Sequence, residues 1–213
     1  MLNIKTFEVN PLQENCYVVS DETNQCVIID CGALTSDEQN EIVDYIKKNN
    51  LTPVHLLATH GHFDHNFGDE AIFKAFGLKL KIHRADERMV REMKLQVHDM
   101  LGMEMNITIP LDSFINGGDE IAFGNHKLKC IATPGHTMGG IVYHCVEENV
   151  AFSGDTLFRM SIGRTDMPGG SMFMIINSLR YLCQLPDTTV VYPGHGPTTT
   201  IGFELAHNPY LDR

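Results

Sequence analysis

The sequence predicts a mixed α/β protein, a sandwich of β-sheets flanked by helices. Three observations predict it. Short apolar runs recur along the chain and end at turn-like Gly or Pro positions, as strands do. Apolar stripes at helical spacing fall between several of these runs. The length of 213 residues suits one domain, or one domain with a small cap, and leaves room for a sizeable core.

Taken in order, residues 3–9, 15–20 and 26–30 read as strands, the last ending at Cys31-Gly32. Ser36 with Gln39 resembles a capping box, opening a helix whose stripe is Ile42, Val43 and Ile46. Residues 54–59 are too short and too apolar for a helix and read as a buried strand. A helix over 68–76 and a strand over 79–83 follow. Residues 85–105 read as helical and carry Met89, Met93, Met100, Met103 and Met105. Helix packing accounts for these methionines; the alternative is a flap over a pocket that accepts varied acyl groups. Strands are expected at 119–124, 126–132, 141–146 and 149–153. Residues 171–184 form a helix with Met172, Ile175, Ile176, Leu179 and Leu182 on one face, and Pro186 follows its end. A buried strand at 189–192 and a short helix near 201–206 close the chain.

Bulk properties exclude several classes of function. The formal net charge is −11, and Lys and Arg are scattered, so a nucleic-acid partner is excluded. Met1–Val9 lacks the basic-then-apolar pattern of a secretory signal. No apolar stretch is long enough for a membrane span. The cysteines (Cys16, Cys26, Cys31, Cys130, Cys145 and Cys183) form no C-x-x-C pair, and most sit in apolar runs. They read as buried, reduced thiols of a cytoplasmic protein.

Four segments share one form: an apolar strand runs into a Gly-containing turn that carries potential metal ligands. Residues 54–59 lead to His60-Gly61-His62-Phe63-Asp64-His65, and 128–132 lead to Pro134-Gly135-His136. Residues 150–152 lead to Ser153-Gly154-Asp155, and 189–192 to Pro193-Gly194-His195. If these strands lie side by side, the four turns gather five imidazoles and two carboxylates at one sheet edge. Such a set is costly to bury unless it holds cations. Nitrogen and oxygen donors without thiolate suit Zn²⁺, with Fe²⁺ or Mn²⁺ as alternatives. Seven donors exceed what one tetrahedral ion uses, so two ions are expected. His60 and His62 can face one ion, and Asp64 and His65 a neighbouring one.

These motifs, His60-x-His62-x-Asp64-His65, Pro-Gly-His136-Thr, Gly-Asp155-Thr and Pro-Gly-His195-Gly, resemble those of the metallo-β-lactamase superfamily. The resemblance implies a four-layer αβ/βα sandwich with metals at one edge. It also implies that His60, His62 and His136 bind the first ion, that Asp64, His65 and His195 bind the second, and that Asp155 bridges them. The Asp155 motif and the stretch Phe158–Gly170 resemble short glyoxalase II-like hydrolases most closely. Full-length glyoxalase II adds a C-terminal helical domain; residues 1–213 are expected to form one domain without it. The implied activity is hydrolysis of an S-acyl thiol such as S-lactoylglutathione by a hydroxide held between the ions, with Asp64 as the orienting catalytic residue. Rival readings are a mononuclear iron persulfide dioxygenase using His60, His136 and Asp155, a lactonase, and a non-catalytic metal-binding module. The expected partner is a small thioester rather than a nucleic acid or a membrane, and a homo-oligomer is left open.

Other residues have plainer readings. Arg164 and Asp166 form a loop-holding ion pair, with substrate contact as the alternative. Tyr17 packs within its strand, with a place lining the site as the alternative. His55, His83, His98, His126, His144 and His207 match no ligand motif. Cys145 and Cys183 lack a neighbouring base and belong to the core.

Overall fold

Two six-stranded sheets form the framework, in a computed structural model that describes residues 1–211. The first sheet takes its strands in chain order: β1 (Asn3–Val9), β2 (Glu14–Ser20), β3 (Gln25–Ile29), β4 (Thr52–Leu57), β5 (Leu80–His83) and β6 (Leu111–Ile115). β1, β2 and β3 are antiparallel neighbours, whereas β3 to β6 run parallel. Parallel neighbours need crossovers. They are supplied by α1 (Ser36–Lys48), α2 (Asp69–Phe76) and the pair α3 (Glu87–Arg91) and α4 (Met93–Leu101).

The second half of the chain forms β7 (Glu120–Phe123), β8 (His126–Ala132), β9 (Ile141–Cys145) and β10 (Val150–Gly154). A small hairpin, β11 (Leu157–Phe158) and β12 (Ser161–Ile162), precedes α5 (Met172–Leu182). β13 (Val190–Pro193), β14 (Thr199–Thr200) and α6 (Ile201–His207) complete the fold. The order across this sheet is β14-β13-β10-β9-β8-β7.

Alternation along the strands builds three apolar layers. Val19, Val27, Ile29 and Leu57 of the first sheet meet Leu128, Tyr143 and Phe152 of the second, forming the core between the sheets. Their chain neighbours Val18, Ile28 and Leu56 point the other way, onto Ile42, Ile46 and Ile72 of α1 and α2. Val142, Ala151 and Val191 pack outward on Ile175, Leu179 and Leu182 of α5 and Ile201 of α6. The result is the four-layer αβ/βα sandwich that the sequence resemblance implies.

Three local expectations are corrected. The first helix is capped one residue earlier, by Thr35, with Glu38 completing the capping box; Glu38 also accepts from the Asn10 and Leu34 amides. Thr35 has the extended backbone that a cap needs, while Ser36 is already helical. The methionine-rich helix ends at Leu101, because Gly102 adopts a left-handed conformation (φ 64°), and Met103 and Met105 lie beyond it. The strand Leu111–Ile115 was not foreseen; its burial is weak along most of its length, as befits the sheet edge.

Candidate metal centre

The four ligand-bearing turns do come together, though not at the edge of a single sheet. β4 belongs to the first sheet, while β8, β10 and β13 belong to the second. β8 and β10 both run antiparallel to β9, and β13 runs parallel to β10. All three therefore deliver their C-terminal turns to the same end of the sandwich. Gly154 adopts a left-handed conformation (φ 48°) that turns Asp155 inward. At Gly194 a side chain would fall within 2.3 Å of Asp155 Oδ1, so only glycine lets this strand approach the site.

The structure brings all seven predicted residues together as overlapping triads: His60, His62 and His136; Asp64, His65 and His195; and Asp155 with His60 and His65. His136 Nε2 lies 2.9 Å from His62 Nδ1, and 3.4 Å from Asp155 Oδ2. His65 Nε2 is 3.4 Å from Asp155 Oδ1. His195 Nε2 is 3.4 Å from Asp64 Oδ2 and 3.7 Å from Asp155 Oδ2. The Asp155 carboxylate thus stands between the two groups.

The outward nitrogens explain why the inward ones are available. His60 Nδ1 meets Thr59 Oγ1 at 3.0 Å, and His65 Nδ1 meets Asp30 Oδ2 at 3.1 Å. His136 Nδ1 meets the Arg164 carbonyl at 2.8 Å, and His195 Nδ1 meets the Leu12 carbonyl at 3.0 Å. The carbonyls and the Asp30 carboxylate can only accept, so these Nδ1 atoms carry the proton and Nε2 presents its lone pair inward. Thr59 Oγ1 gives its own proton to Asp30 Oδ2 and is left to accept from His60 as well. The inward Nε2 of His60 and His65 and Oδ1 of Asp155 have no hydrogen-bond partner, although all three are buried. Convergent, unpartnered donor atoms are what a metal ion satisfies, so the residues present fit two divalent cations.

Behind this layer stands Asp30, at the end of β3. It accepts from the Thr59 amide (2.6 Å) and hydroxyl (2.7 Å) as well as from His65. Its own backbone is left-handed (φ 54°), a strained conformation that these three bonds hold in place. Asn10 donates to the carbonyls of Gly32 and Asp64, and Asn66 to those of His60 and His62. On the opposite side, Asn15 and Tyr17 of β2 hold the Pro193 carbonyl, fixing the turn that carries His195. Glu14 is fully buried with Oε1 3.8 Å from His65 Nδ1, and burial pushes its carboxyl well above the ordinary range.

Electrostatics divide the site in two. Burial holds His60 well below, and His62 at about 4, against an ordinary imidazole value near 6.5. Burial also acts on His65 and His195, but Asp155 and Asp64 outweigh it and raise both. Asp64 and Asp155 are in turn held low by the imidazoles around them, against the effect of their own burial. His195 is the open edge: its side chain keeps 26% of its exposure, whereas His65 keeps none.

Several other expectations can be placed. Arg164 and Asp166 form a two-pronged exposed ion pair at 2.7 and 2.8 Å, and the Arg164 carbonyl is the acceptor for His136. Tyr17 packs against Phe152 and Tyr192. None of His55, His83, His98, His126, His144 and His207 enters the centre. Cys145 lies in the core, and Cys183 sits half-buried at the end of α5. The residues that sequence reasoning missed are Asp30, Thr59, Asn66 and Asp86. Asp30 had one signal, a charged residue closing the apolar run Cys26–Ile29.

Comparison with known proteins agrees with this arrangement. The model of the metallo-beta-lactamase superfamily matches residues 9–195. A probable metallo-hydrolase of Bacillus subtilis, YqgX, is 35% identical over 96% of this chain and 95% of its own. The hydroxyacylglutathione hydrolase GloC of Haemophilus influenzae is 32% identical over 99% of both chains. Among solved structures, the BLEG-1 B3 metallo-beta-lactamase superposes with a TM-score of 0.91 at 33% identity, covering 99% of this chain and 100% of that one. TTHA1623 in a di-iron-bound form gives 0.86 at 33% identity, covering 97% and 100%.

Proposed function

The chain belongs to the metallo-beta-lactamase superfamily, and on that premise we propose that it is a thioesterase hydrolysing S-acyl thiols of the S-lactoylglutathione kind. Two divalent ions serve it, zinc by preference with iron or manganese as alternatives. His60, His62 and His136 would hold one, Asp64, His65 and His195 the other, and Asp155 would serve both. The observation that carries this reading is the set of inward, unpartnered nitrogens around the Asp155 carboxylate.

Ions bound there would bring the pKa of a bound water down toward neutrality and would polarise the acyl carbonyl. The protein does the rest. Asp64, kept ionised by the imidazoles around it, would accept a hydrogen bond from the attacking water and orient it. Asp30, Thr59 and the two carbonyl acceptors fix the imidazole planes, so no reorganisation is needed as charge develops. A departing thiolate needs no general acid.

Substrate class is supported by the hydroxyacylglutathione hydrolase relative, which matches over 99% of both chains. The net charge of −11 and the absence of a basic cluster favour weak binding of the glutathione carboxylates and tolerance of other thiol carriers. We place the protein in the cytoplasm, acting on a small molecule rather than on nucleic acid or membrane.

The test is an activity panel on protein of measured metal content, with a glutathione thioester, simpler acyl thiols, a homoserine lactone, a β-lactam and a glutathione persulfide with oxygen uptake recorded. Thioester turnover with two ions per chain and a high KM for the glutathione thioester is expected. Oxygen consumption by a one-iron protein, or lactone or β-lactam opening without thioester cleavage, would overturn the reading.

A further inference from the structure

The segment between β5 and β6 looks from its sequence like a surface excursion, yet it grips the metal loop at its centre. Gly61 lies between two proposed ligands, His60 and His62, and both halves of its backbone are held by this segment. Its N–H donates to Asp86 Oδ2 at 3.0 Å, and its carbonyl accepts from Gln96 Nε2 at 3.2 Å. Gln96 also donates to the Met89 carbonyl at 2.6 Å, which ties α4 back to α3.

Asp86 reaches a second loop as well. Thr137, next to His136, donates its hydroxyl to Asp86 Oδ2 at 2.6 Å, and the Gly139 amide donates to Oδ1 at 2.7 Å. The carboxylate is 1% exposed and receives three donors from two loops that are 76 residues apart between Gly61 and Thr137. Those loops carry the whole first triad. There is no slack in the arrangement: a side chain at Gly139 would fall within 2.5 Å of Asp86 Cγ, and one at Gly61 within 2.9 Å of the Asp86 carbonyl. Below it, Phe63 and Phe67 of the metal loop pack on Met93 and Val97 of α4.

We propose that Asp86, assisted by Gln96, is the positioning residue of the first metal subsite, setting the spacing of His60 and His62 against His136. The excursion is then a fixture of the centre rather than a flap over it. Asp86 touches neither substrate nor metal; it acts through the Gly61 and Thr137–Gly139 backbones. An acceptor-only group suits the place because every neighbour is a donor. An amide cannot match it, since its NH₂ would face an N–H or O–H donor. This inference rests on the metal-site reading above, but not on the identity of the substrate.

Asp86→Asn and Gln96→Ala test it, with circular dichroism melts to establish that each is folded. Outer partners of metal ligands typically control affinity by about 10- to 100-fold. Competition against a graded chelator should show folded Asp86→Asn losing first-ion affinity by that factor, with second-ion affinity less affected. The visible spectrum of the cobalt-substituted protein should change in Asp86→Asn, and to a smaller degree in Gln96→Ala. A purely structural role would lower the melting temperature and leave spectrum and affinity unchanged; that result would overturn the proposal. A native chain that binds two ions but cleaves no thioester would sink the substrate reading and leave this one standing.

Discussion

Two clusters of histidine and carboxylate occupy opposite fates in this molecule. At the metal end, His60, His65, His136 and His195 each have one ring nitrogen tied and one turned inward. Where β2 ends and β8 begins, His126 has both nitrogens tied: Nδ1 to Asp21 at 3.0 Å and Nε2 to Glu148 at 3.1 Å. Asp21 is further saturated by the Thr23 amide and hydroxyl and the Asn125 amide. Asp21, Glu22 and His126 lie close enough together to hold an ion. The difference is that their lone pairs are spoken for. At the metal end, by contrast, the buried Nε2 atoms of His60 and His65 and Oδ1 of Asp155 converge without hydrogen-bond partners.

The largest effect that would sharpen this contrast is at the Asp155 carboxylate. Asp155→Ala should abolish measurable turnover, and Asp64→Ala should lower kcat by at least about 100-fold through loss of orientation. Both should remain folded, because the three apolar layers do not involve these side chains. Steady-state kinetics with parallel metal analysis will decide it, and near-normal turnover in both variants would break the distinction between the clusters.

A smaller effect separates the two halves of the metal centre. His65 and His195 are raised by Asp155 and Asp64, so as pH falls they take up on Nε2 a proton that competes with an ion sooner than His60 and His62 do. His60 and His62 are lowered by burial and have none to give up. As pH falls the second ion should therefore leave first, its affinity dropping about tenfold per pH unit for each proton displaced. Equilibrium dialysis between pH 8 and pH 5 measures this. Simultaneous loss of both ions would contradict the asymmetry.

The smallest effect belongs to the saturated cluster. Burial opposes protonation of His126, but its bonds to Asp21 and Glu148 prevail and raise its pKa. A raised folded-state value gives stabilisation that is full below the unfolded value of about 6.5 and is lost as pH rises through the folded one. His126→Gln should therefore destabilise the protein at pH 6, by about 1 kcal/mol or less for a partly solvated ion pair, and still less at pH 9. Metal content should be unchanged. Denaturant melts at the two pH values, with metal analysis, check it; a variant that loses metal would mean the two clusters are coupled.

Legibility in the sequence followed the same physical divide. The seven converging side chains could be found because each closes an apolar strand at a glycine turn, a purely local pattern. Their supports could not. Asp86 lies within Arg84-Ala85-Asp86-Glu87-Arg88, a charged stretch that looks like a solvated surface. Only the fold places it among the Gly61, Thr137 and Gly139 donors. The helix expected over the methionine-rich residues 85–105 is shorter for a related reason: Gly102 ends it, and the following residues depend on distant neighbours. Leu111–Ile115 escaped notice because an edge strand buries little, so its hydrophobic pattern is faint.

By itself the sequence determined the alternation of strands and helices, the sandwich, the identity of the candidate ligands and the expectation of two ions. Those properties rest on short-range periodicity and turn chemistry, which a chain carries wherever it folds. The tertiary structure alone decided that one ligand-bearing strand lies in the first sheet and three in the second. It also decided which ring nitrogens of His60, His65, His136 and His195 face inward, and that Asp30 accepts from Thr59 and His65 while Asp86 accepts from Gly61, Thr137 and Gly139. Those properties depend on partners far apart in the chain, and hydrogen-bond direction exists only once both partners are in place.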